Sequence, residues 1–180
     1  RSLVHKLRAD FDAIIIGGNT LRKDNPLLTT RGLKKIEPLR VVFTKTLDFP
    51  VKANLWDTKS SKTLVVYDSS TANKDNLKRI PKNVSIKKLS SDNPKLLSKF
   101  LAEKGFNKVL WECGPKLATS AMESGCIQEC ITFIAPKILG GVNAMSPFSD
   151  FYFEDMSKVK SLKNGKLKLI NGDICLKNQL

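Results

Sequence analysis

The sequence predicts an α/β fold. A mainly parallel central sheet is flanked by helices on both faces and ends in an antiparallel C-terminal hairpin. Three observations carry this. Short runs of β-branched apolar residues alternate with helix signals along most of the chain, the pattern of a buried parallel sheet. Near the end, Asn171-Gly172 separates two short apolar-alternating runs, a strong type I′ hairpin signal. The 180 residues hold no repeat, no low-complexity stretch and no change of composition, so one domain, 1–180, is expected.

Taken in order, Leu3, Val4 and Leu7 fall on one face of a helix that is already under way at the first residue. The chain does not open with Met, and residues upstream are expected. Asp12 to Gly18 (DAIIIGG) is a buried strand closed by two glycines. Asn19 to Arg31 is polar, contains Pro26, and reads as a loop after one helical turn. Leu39–Thr44 and Lys62–Tyr67 are the next strands, with a weaker one over Val84–Leu89. Asp92 or Asn93 caps a helix with Pro94 in its first turn and Leu96, Leu97, Phe100 and Leu101 inward, stopped by Gly105. Asn107–Glu112 is a strand. Gly114 and Pro115 open a second helix that Gly125 ends. Ile127–Ile134 is a strand leading to Ala135–Gly141, and the tail carries Lys166–Ile170 and Asp173–Lys177. Residues 143–158 form an irregular surface loop.

Composition narrows the function classes. No apolar run approaches the roughly 20 residues of a membrane span, and no secretory signal opens the chain. The four cysteines form no CxxC pair and His5 is the only histidine, which argues against zinc. Free, buried thiols are expected in place of disulfides. The net charge of +14 comes from lysines scattered from Lys6 to Lys177, without interleaved aromatics. It reads as a solvated surface and not as a nucleic-acid platform.

Chemistry concentrates at the expected strand ends, where open α/β sheets bind ligands. Trp111-Glu112-Cys113-Gly114-Pro115 runs from a strand into a helix. A helix N-terminus offers unpaired N–H groups and about half a positive charge to an anion, and Gly114 lets the anion approach. An ordinary strand-to-helix turn would look the same. Glu112, so near the core, needs either a basic neighbour or a ligand donor. Gly17-Gly18-Asn19-Thr20 and Gly140-Gly141 are two further glycine turns; three at one sheet edge would suit an elongated anionic ligand such as a dinucleotide. Asp24, Thr29 and Arg31 lie on the loop after Thr20. Arg31 can grip a phosphate by two N–H groups, although Asp-Asn-Pro also makes a plain solvated turn. Neither GxGxxG nor GxxxxGK[ST] occurs, and no GxSxG elbow accompanies the single histidine.

In order, Leu7-Arg8-Ala9…Asp12-Ala13, Gly17…Thr20, Asp24-Asn25-Pro26-Leu27-Leu28-Thr29-Thr30-Arg31, Pro38-Leu39-Arg40-Val41-Val42, Trp111-Glu112-Cys113-Gly114-Pro115-Lys116-Leu117-Ala118 and Ala135-Pro136-Lys137-Ile138-Leu139-Gly140-Gly141 resemble the reductase domain of the bifunctional riboflavin-biosynthesis deaminase-reductases. The resemblance implies a dihydrofolate-reductase-like fold. It also implies NADPH-dependent reduction of the ribosyl group of 5-amino-6-(5-phosphoribosylamino)uracil to a ribityl group. By the same resemblance, Thr20, Asp24 and Gly114 to Ser120 (Gly114, Pro115, Lys116, Leu117, Ala118, Thr119, Ser120) bind NADPH. Arg8, Leu28, Arg31 and Glu112 contact the phosphorylated ribosylaminopyrimidine, with the arginines near its phosphate. Lys45 and Thr46 are candidates for the cofactor's 2′-phosphate. No general acid is assigned; water or a residue outside this chain supplies the proton. A homodimer is implied, in the cytoplasm or a plastid stroma, with no nucleic-acid or membrane partner and with a zinc deaminase domain fused or acting alongside.

The chain departs from the family's pattern. The family's first strand, near Lys-x-Ala-x-Ser-x-Asp-Gly, and the following Trp-Ile segment are absent. Cys113 stands for a common glycine and Lys116 for a common Thr or Ser. The deaminase's His-x-Glu and Pro-Cys-x-x-Cys motifs are also absent. Reduction of another pterin or pyrimidine, a non-catalytic nucleotide-binding domain, and a basic RNA-binding module are the alternatives.

Overall fold

The computed structural model describes residues 2–70, 72–141, 144, 146–149 and 155–180, so part of the loop expected over 143–158 (143, 145 and 150–154) lies outside the described residues. After helix α1 (Ser2–Ala9) come β1 (Ala13–Gly17), α2 (Gly18–Asp24), β2 (Leu39–Thr44), β3 (Thr63–Asp68), β4 (Ser85–Leu89), α3 (Pro94–Glu103), β5 (Val109–Trp111), α4 (Pro115–Glu123), β6 (Glu129–Ile134), β7 (Lys163–Ile170) and β8 (Asp173–Gln179). Five strands form a parallel sheet in the order β4-β3-β2-β1-β5, and three form a separate antiparallel sheet in the order β6-β8-β7.

The parallel sheet is built from the apolar runs. In β1, Ile14 and Ile16 enter one core with Val42, Val65, Leu28, Leu55 and Trp56. Ala13 and Ile15 enter the other, with Val41, Leu64, Val66, Leu97 and Leu101. Alternation sends successive side chains to opposite faces, and each fully buried Ile stabilises by about 1.5–3 kcal/mol. Both faces are thus covered, as expected, but unequally. Helix α3 covers the second face, with the Asn93 side chain accepting from Lys95 N–H at 2.8 Å as its cap. The first is covered by Leu21 of α2 and by loop residues Leu28, Leu47, Phe49 and Leu55.

Three details differ from the sequence reading. The segment after β1 makes a seven-residue helix, α2, and not a single turn. Helix α1 buries no residue fully. The antiparallel strands are not an edge of the main sheet: β6 pairs with β8 in register Glu129↔Gln179 to Ile134↔Ile174, while the described partner of β5 is β1. A cleft of about 610 Å³ separates β5 from β6, lined by Val109, Trp111, Cys113, Met122, Ile131 and Phe133 among others. The hairpin is as expected, with Asn171 at φ 51° and Gly172 at φ 89°, the two positive values a type I′ turn requires.

Candidate functional site

Strands β1, β2 and β5 run parallel, so their carboxyl ends meet at one edge of the sheet. A cavity of about 850 Å³ opens there, bounded by Gly17, Gly18 and Thr20, by Thr44, Lys45 and Thr46, and by Gly114, Pro115, Lys116, Leu117 and Ser120. That volume lies within the range of ligand pockets, roughly 300–1,000 Å³.

Glycine is needed on its floor. A Cβ on Gly18 would sit 2.9 Å from Thr44 Oγ1, whereas one on Gly114 would meet nothing nearer than Thr20 Oγ1 at 3.9 Å. Gly114 is the N-cap of α4 and makes no side-chain cap; Pro115 follows at the first turn. Proline has no N–H, and Ala118 N–H already bonds the Gly114 carbonyl at 3.0 Å. The backbone N–H groups of Lys116 and Leu117 are therefore the free donors of the helix start, and both residues line the cavity. The Lys116 ammonium adds charge beside the positive end of the helix dipole. At the rim, Lys45 pairs with Asp92, and Arg22 donates to the Asp48 carbonyl at 2.7 Å and to Asn19 Oδ1 at 3.0 Å.

A second constellation lies where β5 ends. Arg8, in the last turn of α1, grips Glu112 by a two-pronged bond: Nε to Oε2 at 2.9 Å and Nη2 to Oε1 at 2.6 Å. Its Nη1 donates to the Thr29 carbonyl at 3.2 Å, which His5 Nδ1 also meets at 3.0 Å. These contacts fasten the loop after α2. That loop holds Asn25, Leu28 and Arg31 at φ 40°, 53° and 55°. Left-handed backbone is cheap for Asn and costly for Leu, and such strain of order 1–3 kcal/mol concentrates at functional loops. Leu28 is buried, so its side chain anchors the loop and only its backbone is left for a ligand. Arg31 is exposed.

The residues expected at the site separate into groups. Thr20, Gly114, Pro115, Lys116, Leu117 and Ser120 line the cavity. Thr119 is buried and committed, its hydroxyl donating to the Ser149 carbonyl at 2.6 Å. Ala118 lines the second cleft, and Asp24 is exposed at the end of α2. Arg8, Leu28, Arg31 and Glu112 form the neighbouring constellation and are absent from the cavity wall. Gly140-Gly141 does not join the other glycine turns: it follows β6 of the other sheet and is exposed. The four thiols are free but only half-buried; burial pushes the Cys113 thiol up from 9.0 to about 12. Among the described residues no cluster of His, Cys, Asp or Glu could hold a metal.

Sequence reasoning missed Arg40, which is 1% exposed and donates to the carbonyls of Leu27, Leu55, Asp57 and Ser61. A charged residue inside an apolar strand run was the signal. It also missed Ser146, Phe148 and Ser149 at the cavity mouth; their irregular segment has no period to read.

A parallel sheet with its cleft at the carboxyl ends, beside a smaller antiparallel sheet, makes this a dihydrofolate-reductase-like α/β domain. The family model of the RibD C-terminal domain matches residues 1–176, and the chain belongs to that family. It is 40% identical over 174 residues to the riboflavin biosynthesis protein RibD of Synechocystis, covering 96% of this chain and 47% of that one. It is 27% identical to a 2,5-diamino-6-ribosylamino-4(3H)-pyrimidinone 5′-phosphate reductase of Aquifex aeolicus, covering 92% of this chain and 73% of the relative. A diaminohydroxyphosphoribosylaminopyrimidine deaminase/5-amino-6-(5-phosphoribosylamino)uracil reductase from Thermotoga maritima superposes with a TM-score of 0.82 at 22% identity, over 99% of this chain and 48% of that one. The chain thus spans about half the length of the RibD relative.

Proposed function

We propose that this domain reduces the ribosyl group of 5-amino-6-(5-phosphoribosylamino)uracil to a ribityl group with NADPH, a step of riboflavin biosynthesis in the cytoplasm or a plastid stroma. The observation that carries the reading is the open start of α4. Gly114 leaves the approach clear, and Lys116 and Leu117 at the helix start line an 850 Å³ cleft. A diphosphate suits that terminus, and the cleft continues past Thr20 to Lys45 and Thr46, which suit a further phosphate. When bound, NADPH supplies the hydride. The chain's own part is to position and to hold charge. Glu112 accepts from amino groups of the pyrimidine, Arg31 meets the phosphomonoester, and Arg8 and the Leu28 loop complete the substrate side. Asp24, Ala118 and Thr119 serve the cofactor by shaping α2 and α4.

Two assembly features belong to the same reading. Among the described residues no further strand pairs with β5 or β6 on the sides that flank the 610 Å³ cleft, a space suited to one more extended strand. Ile134, Leu167 and Leu169 share one face of the second sheet by register and are 46%, 60% and 73% exposed, which supports a homodimer through that face. The deciding experiment is NADPH titration followed by Trp111 fluorescence, in the wild type and in Gly114→Asp, and then NADPH oxidation on adding the substrate. Saturable quenching that the variant loses, with turnover in the wild type, supports the proposal. Absence of quenching in the wild type refutes it.

A further inference from the structure

The cavity at the sheet edge is lined by unequal charges. Among its described lining residues are the cations Arg22, Lys45 and Lys116 and a single carboxylate, Asp92. An acid works against an anion bound in the same cleft. Asp92 stands in the turn between β4 and α3, and its side chain pairs with Lys45, just past β2. The helix start does not account for this carboxylate, because the neighbouring Asn93 caps α3. Stability does not account for it either. The two side chains are 65% and 37% exposed, and an ion pair so wet adds little to a fold.

The sheet order says which part of a dinucleotide meets this pair. Glu112, on the substrate side, follows β5, and so does the start of α4 that suits the diphosphate. Strand β1 lies between β5 and β2. Neighbouring strands are about 4.8 Å apart, so the end of β2 stands roughly 10 Å from the substrate side. The hydride-donating ring has to reach the substrate, which leaves the adenosine ribose to extend toward Lys45 and Asp92. NADPH and NADH differ only on that ribose. One carries a 2′-phosphate, with roughly 1.5 to 2 negative charges near pH 7, and the other a 2′-hydroxyl. Arg22 is tied to the Asp48 carbonyl and Asn19, and Lys116 belongs to α4. Lys45 is therefore the cation for a phosphate at this end. Its partner Asp92 repels a phosphate but accepts a hydrogen bond from a ribose hydroxyl.

We propose that Asp92 is a specificity-determining residue of the cofactor site: it competes with the 2′-phosphate for Lys45 and accepts from the 2′-hydroxyl, so that this chain takes NADH as well as NADPH. The inference rests on the dinucleotide reading of the cleft given above.

The test measures dissociation constants of NADPH and NADH by tryptophan quenching in the wild type, Asp92→Asn and Lys45→Met. Competition by 2′,5′-ADP and 5′-AMP repeats the comparison with the ribose end alone. Circular dichroism checks that each variant is folded, and Asp92→Ser stands in if Asp92→Asn is not. The wild type should bind the two dinucleotides within about tenfold of each other, since Asp92 offsets much of the attraction of Lys45. Asp92→Asn should raise the preference for NADPH by roughly 5- to 30-fold, the effect of removing one like charge beside a phosphate in partly screened surroundings. Raising salt from about 0.05 to 0.5 M should erase most of that gain, because the repulsion is screened; a purely structural effect would persist. Lys45→Met should weaken NADPH about tenfold and leave NADH within about twofold. An unchanged preference in Asp92→Asn, a loss of NADPH affinity in that variant, or equal losses of both dinucleotides in Lys45→Met would overturn the assignment. A wild type quenched by neither dinucleotide sinks the cofactor reading itself, an outcome seen before any substitution is compared.

Discussion

Arg40→Met tests whether the loop scaffold depends on one buried cation. The guanidinium bonds the carbonyls of Asp57 and Ser61 at 2.6 Å each, and of Leu27 and Leu55 at 3.3 Å. Burial pulls its pKa below the usual arginine value, while the charges of Asp57 and Glu37 oppose that pull. Methionine fills similar space and donates nothing. The Leu55 carbonyl keeps a donor, the Thr63 hydroxyl at 2.7 Å, so three carbonyls lose theirs. An orphaned buried acceptor costs about 1–3 kcal/mol. Against this, the folded state no longer strips water from a guanidinium, a saving of several kcal/mol. The buried Nε without a partner makes that saving larger than usual. The balance is a loss of about 2–4 kcal/mol, or a fall of roughly 4–16 °C in Tm for a chain of this size. Urea and thermal unfolding measure it directly. The Leu27 tether adds a functional readout: KM for the phosphorylated substrate should rise in the folded fraction. Unfolding free energy within about 0.5 kcal/mol of wild type, the range of an inert surface change, would refute the claim that Arg40 braces these loops.

Three other outcomes are expected. Gly18→Ala should lower Tm, because its Cβ would meet Thr44 Oγ1 at 2.9 Å, while Gly114→Ala should leave Tm nearly unchanged and weaken NADPH at least tenfold in fluorescence titration, its Cβ entering open space. Leu167→Glu with Leu169→Glu should shift sedimentation from dimer to monomer without changing the secondary structure; an unchanged dimer moves the interface elsewhere. Between pH 9 and 12 the folded chain holds the Cys113 proton that the unfolded chain has lost, so this group makes stability fall as pH rises through that window and has no such effect below it. Unfolding measured from pH 8 to 10.5 should show a shallower decline in Cys113→Ser.

The strands of the parallel sheet were legible because burial on both faces leaves uninterrupted apolar runs, as in Ala13–Gly17 and Thr63–Asp68. The start of α4 was legible from Gly114-Pro115 alone, since both residues act through the backbone. What sequence did not reveal are partnerships. The pattern of β6 fits an edge of the main sheet or a strand of another sheet equally well, and only the pairing with β8 decides it. The resemblance includes Thr119 among the cofactor residues, and no sequence pattern shows that its hydroxyl bonds Ser149, which is 30 residues away in sequence.

The same logic explains why Arg8, Arg31 and Arg40 could not be told apart by residue type. A guanidinium is always charged, so its role is fixed by what neutralises it and how dry its site is. Arg40 is surrounded by carbonyls and is dry, which makes it a brace. Arg8 is matched by a half-exposed carboxylate, which makes it one half of a two-pronged ion pair. Arg31 stands in water on a left-handed turn, and that turn is held by the buried Leu28, by the Thr29 carbonyl on Arg8 and by the Leu27 carbonyl on Arg40. Two of the three arginines therefore spend their hydrogen bonds on fixing where the third can reach. Loosening either should free the turn that carries Arg31 without touching Arg31 itself.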